Sequence, residues 1–222
     1  MKHFVVGDIV ATRTANGTAM KRFTENTALL LIDIQKGVDV LEHWGGPSGR
    51  RNNPGAESHM KKLLGAWREN SLPIIFTRHD SWEAASPLKW SLSTGEMKEG
   101  FEPVGGEVVI RKHANSGFVG TSLEIELRRL NVSRLVIIGF FTNFCVETTA
   151  RMAGNLGYDT YLVHDACGTT NRIGIDGTDY DPELVHDMSI ANLDREFCTV
   201  IDHKQALSLL SGDDENIERT AQ

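Results

Sequence analysis

Cysteine is scarce in this sequence, which holds only Cys145, Cys167 and Cys198 among its 222 residues. So few cysteines, and an odd number of them, count against a disulfide framework and favour reduced thiols. Long apolar runs are also lacking, since no stretch approaches the roughly 18 residues that a membrane span needs. The segment Met1–Val10 has neither the apolar region nor the cleavage site of a secretory signal. We therefore expect a cytoplasmic protein.

Positive charge is the second deficit of the sequence. Lys and Arg number 23 against 30 Asp and Glu, which gives a formal net charge of −7, and no basic run is present. Nucleic acids and anionic membranes are bound by clustered Lys and Arg, so we expect neither as a partner. The 40% hydrophobic and 24% charged residues are typical of a globular chain. We expect one large domain whose partner is a small-molecule substrate.

Short β-branched runs alternate with helix-like segments along the chain. The predicted strands are Ala28–Asp33, Leu72–Thr77, Glu107–Lys112, Arg134–Gly139, Tyr158–Asp165 and Phe197–Ile201, and the predicted helices are Gly55–Glu69, Thr121–Leu130, Cys145–Leu156 and Pro182–Glu196. This alternation predicts an α/β fold, a three-layer α/β/α sandwich around a mostly parallel sheet of about six strands. The domain is predicted over 27–205, with 1–26 as an N-terminal arm or small hairpin and 206–222 as a C-terminal tail.

Polar residues gather where the predicted strands end, which is where an open parallel sheet binds its ligands. Asp33 closes the first strand, Lys112 closes the third, and Cys145 opens the helix after the fourth. Each residue alone has an ordinary interpretation, as a loop cap, a solvated lysine or a core cysteine. Because all three residues are placed at one edge of the predicted sheet, we give equal weight to a cysteine-dependent enzyme and to these structural roles.

Cys145 would be the nucleophile of such an enzyme. A helix N-terminus and a nearby ammonium both favour the thiolate, whereas a neighbouring carboxylate opposes it. We expect the first two to prevail and to hold the pKa of Cys145 below the free-cysteine value of about 8.5. Asp33 could accept the thiol proton and then deliver it to a departing amine.

Three separated motifs resemble those of the isochorismatase-like cysteine hydrolases. GFFTNFCVETTARMAGNLG at Gly139–Gly157 resembles the nucleophile motif of that superfamily, which includes nicotinamidases, N-carbamoylsarcosine amidases and ureidoacrylate amidohydrolases, with streptothricin hydrolases nearby. LLLIDIQ at Leu29–Gln35 resembles the strand with its aspartate, and VIRKHANSGFVGTSLE at Val109–Glu124 resembles the strand with its lysine. The resemblance extends from about Thr27 to Ile201.

The resemblance implies a role for each of these residues. Asp33 would be the general base and acid, Lys112 the electrostatic partner and Cys145 the nucleophile. A cis peptide would fall between Phe140 and Phe141, and the backbone N–H groups of Phe141 and Cys145 would form the oxyanion hole. The implied reaction is attack by sulfur, loss of ammonia or an amine, and hydrolysis of a thioester. The implied assembly is a homodimer or homotetramer.

Two departures from the family pattern narrow the prediction. Nicotinamidases carry a D-x-H-x5-H metal motif, whereas the matching stretch here offers one imidazole, so we predict no metal and no cofactor. True isochorismatases cleave a vinyl ether and commonly lack the cysteine, so its presence favours an amide, ureide or lactam. The alternatives are an ether or ester hydrolase using the same pocket and a non-catalytic member of the fold that binds a small molecule. The candidates for substrate binding are Arg51, Asn53, His79, Ser81 and Phe118.

Overall fold

A parallel six-stranded sheet forms the centre of the fold in the computed structural model, which describes residues 22–212. Its strands are β1 (Thr27–Ile32), β2 (Ile74–His79), β3 (Val108–Lys112), β4 (Arg134–Phe140), β5 (Asp159–Gly168) and β8 (Thr199–Ile201). They lie in the order β3-β2-β1-β4-β5-β8, all parallel. The chain therefore changes direction across the sheet between β1 and β4, which is where such folds bind ligands.

Helices cover both faces of the sheet and complete the three-layer sandwich. They are α1 (Leu41–Gly45), α2 (Ala56–Glu69), α3 (Leu123–Arg129), α4 (Glu147–Asn155), α5 (Pro182–Leu193) and α6 (His203–Ser211). Residues of α2 and α6 share one apolar core with one face of the sheet, and residues of α3, α4 and α5 share another with the opposite face. A short hairpin of β6 (Arg172–Ile173) and β7 (Asp179–Tyr180) stands apart from the sheet.

The apolar run of β1 explains the central position of that strand. Leu29 and Leu31 belong to the core beneath α2 and α6, whereas Leu30 and Ile32 belong to the core beneath α3 and α4. Successive side chains of a strand point to opposite faces, so a strand covered on both faces must be apolar throughout. The predicted sheet and its predicted strands are confirmed, with ends that differ by at most three residues.

The predicted C-terminal tail is wrong over its first residues. Helix α6 continues to Ser211, and its Leu209 and Leu210 are buried against α2. The helix begins with a capping box in which Asp202 accepts from the backbone of Gln205 and the Gln205 side chain accepts from the backbone of Asp202. That polar pair is a helix-start signal that the sequence contained. The predicted arm or hairpin over 1–21 and the tail over 213–222 lie outside the described residues.

Gly139 sets the close approach of β1 and β4 at the switch point. Its φ is +131°, and a Cβ there would lie 2.1 Å from the backbone oxygen of Ile32. Only glycine fits such a position, because any side chain would collide with the neighbouring strand. The residues that follow the two strands are thereby held side by side. Among the helices of residues 22–212, none is long and apolar enough to span a bilayer.

Candidate active site

Asp33, Lys112 and Cys145 meet at the carboxyl edge of the sheet, beside the switch point. Lys112 Nζ lies 2.6 Å from Asp33 Oδ2, and both side chains are almost fully buried. Asp33 directly follows β1 and has a φ of +49°, a left-handed conformation that is unfavourable for residues other than glycine. Such strain is retained where the surrounding structure fixes it, often at functional sites.

Thr77, on the neighbouring strand β2, fixes the Asp33 carboxylate. Its hydroxyl donates to Asp33 Oδ1 over 2.6 Å and accepts from the Asp33 backbone N–H over 3.2 Å. Asp33 Oδ2 has the ion-pair contact with Lys112, but no hydrogen bond of regular geometry reaches it. One carboxylate oxygen is therefore anchored, and the other faces the lysine and remains able to accept a proton.

The Lys112 ammonium has three oxygen or nitrogen neighbours. Besides Asp33 Oδ2, these are His79 Nδ1 at 2.9 Å and the carbonyl oxygen of Ala114 at 3.2 Å. Burial alone would lower the pKa of Lys112, but the Asp33 carboxylate and the Cys145 sulfur outweigh it and raise that pKa above its usual value. The lysine is therefore a fixed positive charge.

His79 accepts a hydrogen bond from this ammonium and is held in a neutral form. Burial, and then the charge of Lys112, lower the pKa of His79, while Asp33 opposes them. Gln35 fixes the backbone on both sides, since its Oε1 accepts from His79 N–H and its Nε2 donates to the His79 carbonyl. Since Nδ1 accepts from the lysine, the ring proton of the neutral imidazole is on Nε2.

Cys145 lies in a π-helical turn, Thr142–Val146, which follows a cis peptide between Phe140 and Phe141. Helix α4 begins two residues later than the predicted helix, at Glu147. The cysteine Sγ lies 3.9 Å from His79 Nδ1 and 3.8 Å from Asn115 Oδ1. It therefore lies in the first turn of the helical segment and within the same polar cluster.

The expected depression of the Cys145 pKa is contradicted by its surroundings. Burial, and then the Asp33 carboxylate, raise the pKa of the thiol well above its usual range, and Lys112 only partly opposes them. The expectation gave too much weight to the ammonium, whose charge is already balanced by Asp33 at 2.6 Å. The resting cysteine is therefore a thiol hydrogen-bonded within an ion-pair cluster.

A cavity of about 200 Å³ opens onto these residues. It is lined by Asp33, Val38, Trp44, His79, Ser81, Glu83, Ser86, Leu88, Asn115, Phe140, Phe141, Phe144 and Cys145. A wider surface depression of about 420 Å³ lies beside α5 and the start of α6. That depression is open and includes none of the clustered side chains described above, so the smaller cavity is the candidate active site.

Two of the five predicted binding residues, His79 and Ser81, line this cavity. The predicted position of Arg51 is corrected: its guanidinium pairs with both carboxylate oxygens of Glu57, at 2.7 and 2.8 Å, and lies 5.0 Å from the ring centre of Phe140. A bidentate pair of this kind fixes the side chain behind the cavity wall.

Asn53 and Phe118 are also placed outside the cavity lining. The Asn53 amide donates to the carbonyl oxygens of His164 and Cys167, which ties the loop before α2 to β5. Phe118 packs against Tyr158 in the core beneath α3 and α4. Both side chains therefore stabilise the fold and do not contact the cavity.

Several cavity residues were absent from the sequence-based list. Asn115 follows Lys112 closely and could have been proposed from that proximity. The others come from loops, from short helical segments that include α1, or from the π-helical turn that contains Cys145, and no periodic pattern shows which of these side chains point inward. They are Val38, Trp44, Glu83, Ser86, Leu88 and Phe144.

Within residues 22–212, two clusters have the donor atoms for a metal ion. Asp33, His79 and Cys145 offer ligand atoms within 4.8 Å of one another, but Lys112 Nζ occupies the space between Asp33 and His79. A second cation there would be repelled by the ammonium. In the second cluster, His59, Asp165 and His203, the imidazole rings are stacked 3.7 Å apart. Stacked rings direct their lone pairs in parallel, so they cannot converge on one ion.

The chain thus has an α/β fold with a six-stranded parallel sheet, and a buried aspartate, lysine and cysteine lie together at the carboxyl edge of that sheet. The Isochorismatase domain family matches residues 27–205. The chain is 38% identical over 184 residues to the uncharacterized isochorismatase family protein YrdC of Bacillus subtilis, covering 83% of this chain and 96% of that protein. The chain therefore belongs to the isochorismatase family.

Solved structures and further relatives agree with this assignment. A crystal structure of an isochorismatase-family hydrolase from Chromobacterium violaceum matches with a TM-score of 0.81 and 40% identity, covering 88% of this chain and 98% of that one. The ureidoacrylate amidohydrolase RutB of Rhizobium rhizogenes is 29% identical over 201 residues, covering 77% of this chain and 78% of that protein. The chain is thus a hydrolase of this family.

Proposed function

We propose that this protein is a metal-independent cysteine hydrolase that cleaves a C–N bond in a small amide, ureide or lactam through a thioester. The observation that carries the proposal is the contact of Asp33, Lys112 and Cys145 at the base of the cavity. A thiol, a carboxylate with one oxygen able to accept a proton, and a fixed ammonium are the groups that acyl transfer to sulfur requires. The amidohydrolase name of the RutB relative supports the same bond type.

Asp33 and Cys145 act together in the first step. Because the thiol pKa is raised, the sulfur is activated when its proton moves to Asp33 as the substrate carbonyl is attacked. Lys112 keeps the total charge of the cluster balanced while negative charge develops. We propose that the N–H groups of Phe141 and Cys145 stabilise the oxyanion, as donors at such positions do in acyl transfer.

The second half of the reaction returns the proton. Asp33, now protonated, donates it to the leaving nitrogen, and ammonia or an amine departs to leave an acyl group on Cys145. Water then attacks the thioester while Asp33 accepts its proton, and the thiol is restored. Each proton taken by the carboxylate is given back, so the cycle needs no metal or redox partner.

The test is release of ammonia or amine from a panel of small amides, ureides and lactams. Wild type should hydrolyse at least one of them, and Cys145→Ser should lose about 10³-fold or more of kcat because the nucleophile is removed. Cys167→Ser is the matched control, since that thiol is buried in the core away from the cavity lining. Mass spectrometry of quenched wild type should show an acyl adduct on Cys145.

The ether alternative uses the same cavity and is separated by the same experiment, whereas an ester would form the same thioester and is recognised by release of an alcohol without ammonia or amine. A vinyl ether releases an alcohol or enol and leaves no acyl group on sulfur. Turnover of such a substrate by Cys145→Ser at the wild-type rate, with no amide cleaved by wild type, would contradict the proposal.

A further inference from the structure

The acidic side chains that line the cavity are Asp33, which is in an ion pair, and Glu83. Asp33 is paired with Lys112, so Glu83 contributes the unbalanced charge of the lining. Its side chain is 63% exposed, which places the carboxylate at the mouth. Among the lining residues in the described part of the chain there is neither lysine nor arginine.

Nearby cations are directed elsewhere. Lys89 Nζ donates to the carbonyl oxygen of Ser81, and Arg172 donates to the carbonyl oxygen of Trp44 while its guanidinium lies over Phe144. Neither lines the cavity. A substrate carboxylate at the mouth would thus meet Glu83 without a facing cation, and burying an unpaired anion there would be costly.

Aromatic rings form the wall beside this mouth. Trp44 and Phe141 have ring centres 5.0 Å apart, and the Trp44 indole N–H donates to the carbonyl oxygen of Gly37, which fixes the ring. His43 packs edge-on against Trp44, and its Nε2 lies 4.0 Å from Glu83 Oε2, which puts the carboxylate near this wall. An aromatic face beside a carboxylate is a favourable setting for an organic cation.

We propose that the substrate is a small amide whose end remote from the scissile bond carries a positive charge, bound between Glu83 and the rings of Trp44 and Phe141. The proposal rests on the amide hydrolysis proposed above. It makes Glu83 a specificity-determining residue that takes no part in the chemistry. The net charge of −7 would further favour the approach of cations over anions.

The test measures the charge preference of the cavity without any substrate turnover. Three methanethiosulfonate reagents of similar size, with a trimethylammonium, a neutral or a sulfonate end, transfer their thioalkyl group to Cys145 and release methanesulfinate. Their rates, each divided by the rate with a free small thiol, are compared by mass spectrometry of the Cys145 peptide. The same sulfur attacks all three reagents, so the thiolate fraction cancels in the ratios.

The cationic reagent should label Cys145 about tenfold faster than the anionic one, and Glu83→Gln should reduce this ratio several-fold. Glu183→Gln, which removes an exposed carboxylate outside the lining, is the control and should leave the ratio unchanged. Faster labelling by the anionic reagent, an unchanged ratio in Glu83→Gln, or no labelling by any reagent would overturn the proposal. Because labelling needs no hydrolysis, failure of amide cleavage in the substrate panel would be a separate result.

Discussion

Lys112 Nζ lies 2.9 Å from His79 Nδ1, and this contact joins the lysine of the site to a histidine that the family resemblance did not assign to the chemistry. The two residues end neighbouring strands and are paired in register. Neutral His79 therefore supplies an acceptor to the buried ammonium, whose other neighbours are Asp33 and the Ala114 carbonyl. We interpret His79 as a positioning residue for Lys112.

Two replacements of His79 should show whether its hydrogen bond from Lys112 supports activity. His79→Leu removes the acceptor, which costs a buried charged donor about 1–3 kcal/mol, so we expect a loss of roughly 10- to 100-fold in kcat/KM. His79→Asn keeps an oxygen near the position of Nδ1 and should retain most activity. The measurement is kcat/KM for both variants, and equal losses would contradict the positioning role.

The pH profile supplies a second readout for His79. Because its pKa is lowered, the ring stays neutral near pH 7 and gains a proton only at a pH below the usual value of about 6.5. The protonated ring would repel Lys112, so wild-type activity should fall as the pH drops through that range. His79→Asn should lack this part of the acid limb. An acid limb of the same midpoint in both proteins would exclude His79 as its source.

Alkylation of Cys145 tests the electrostatics of the cluster. Since burial and Asp33 raise the thiol pKa, the alkylation rate with iodoacetamide should still be rising above pH 8.5. Asp33→Asn should lower that pKa and abolish turnover, and Lys112→Met should raise the pKa further. Rates are followed by mass of the Cys145 peptide. A wild-type midpoint well below pH 8.5 would contradict the raised thiol pKa. An unchanged pH profile in Lys112→Met would exclude an effect of the lysine charge on the thiol.

The positions of Asp33, Lys112 and Cys145 could be predicted from the sequence because strand periodicity fixes where a strand ends. Parallel strands bring their carboxyl ends to one edge, so residues distant in sequence are placed together by topology alone. The thiol pKa could not be predicted in this way. It depends on burial and on which charges are already paired, and both quantities follow from packing.

The directions of loop side chains could not be predicted from the sequence. Arg51 and Glu83 are both charged residues in loops, yet Arg51 is paired with Glu57 behind the wall and Glu83 faces the cavity. No periodic pattern distinguishes the two, because loop side chains point where the local backbone directs them. Helix α6 was missed for another reason: its capping box was present, but its apolar stripe is short.

Removal of metal should leave activity unchanged. Lys112 occupies the space between Asp33 and His79, so the cluster already contains its positive charge. Dialysis against a chelator, followed by assay on an amide that wild type cleaves, should give the original kcat. Lys112→Met is a useful comparison, because without the ammonium the same three ligand atoms could admit a divalent ion. Loss of wild-type activity on chelation, restored by zinc or iron, would contradict this prediction.

His186 links the nucleophile turn to α5. Its Nδ1 lies 2.9 Å from the Thr142 hydroxyl, within the turn that contains Cys145, and its Nε2 is buried without a hydrogen-bond partner. Burial, and then the charge of His164, lower the pKa of His186 to about 4. A proton on this ring would be buried beside the turn.

Acid should therefore destabilise the fold through His186. The unfolded chain takes up this proton near pH 6.5 and the folded chain only near pH 4. Between those values the unfolded state holds more protons, so the free energy of unfolding decreases as the pH is lowered. From pH 7 to pH 5 the loss from this residue is about 2 kcal/mol. His186→Asn, which can keep a hydrogen bond to Thr142 and cannot titrate, should lose correspondingly less. The measurement is the free energy of unfolding in urea at both pH values, and equal losses in wild type and variant would show that His186 is not the buried titrating group.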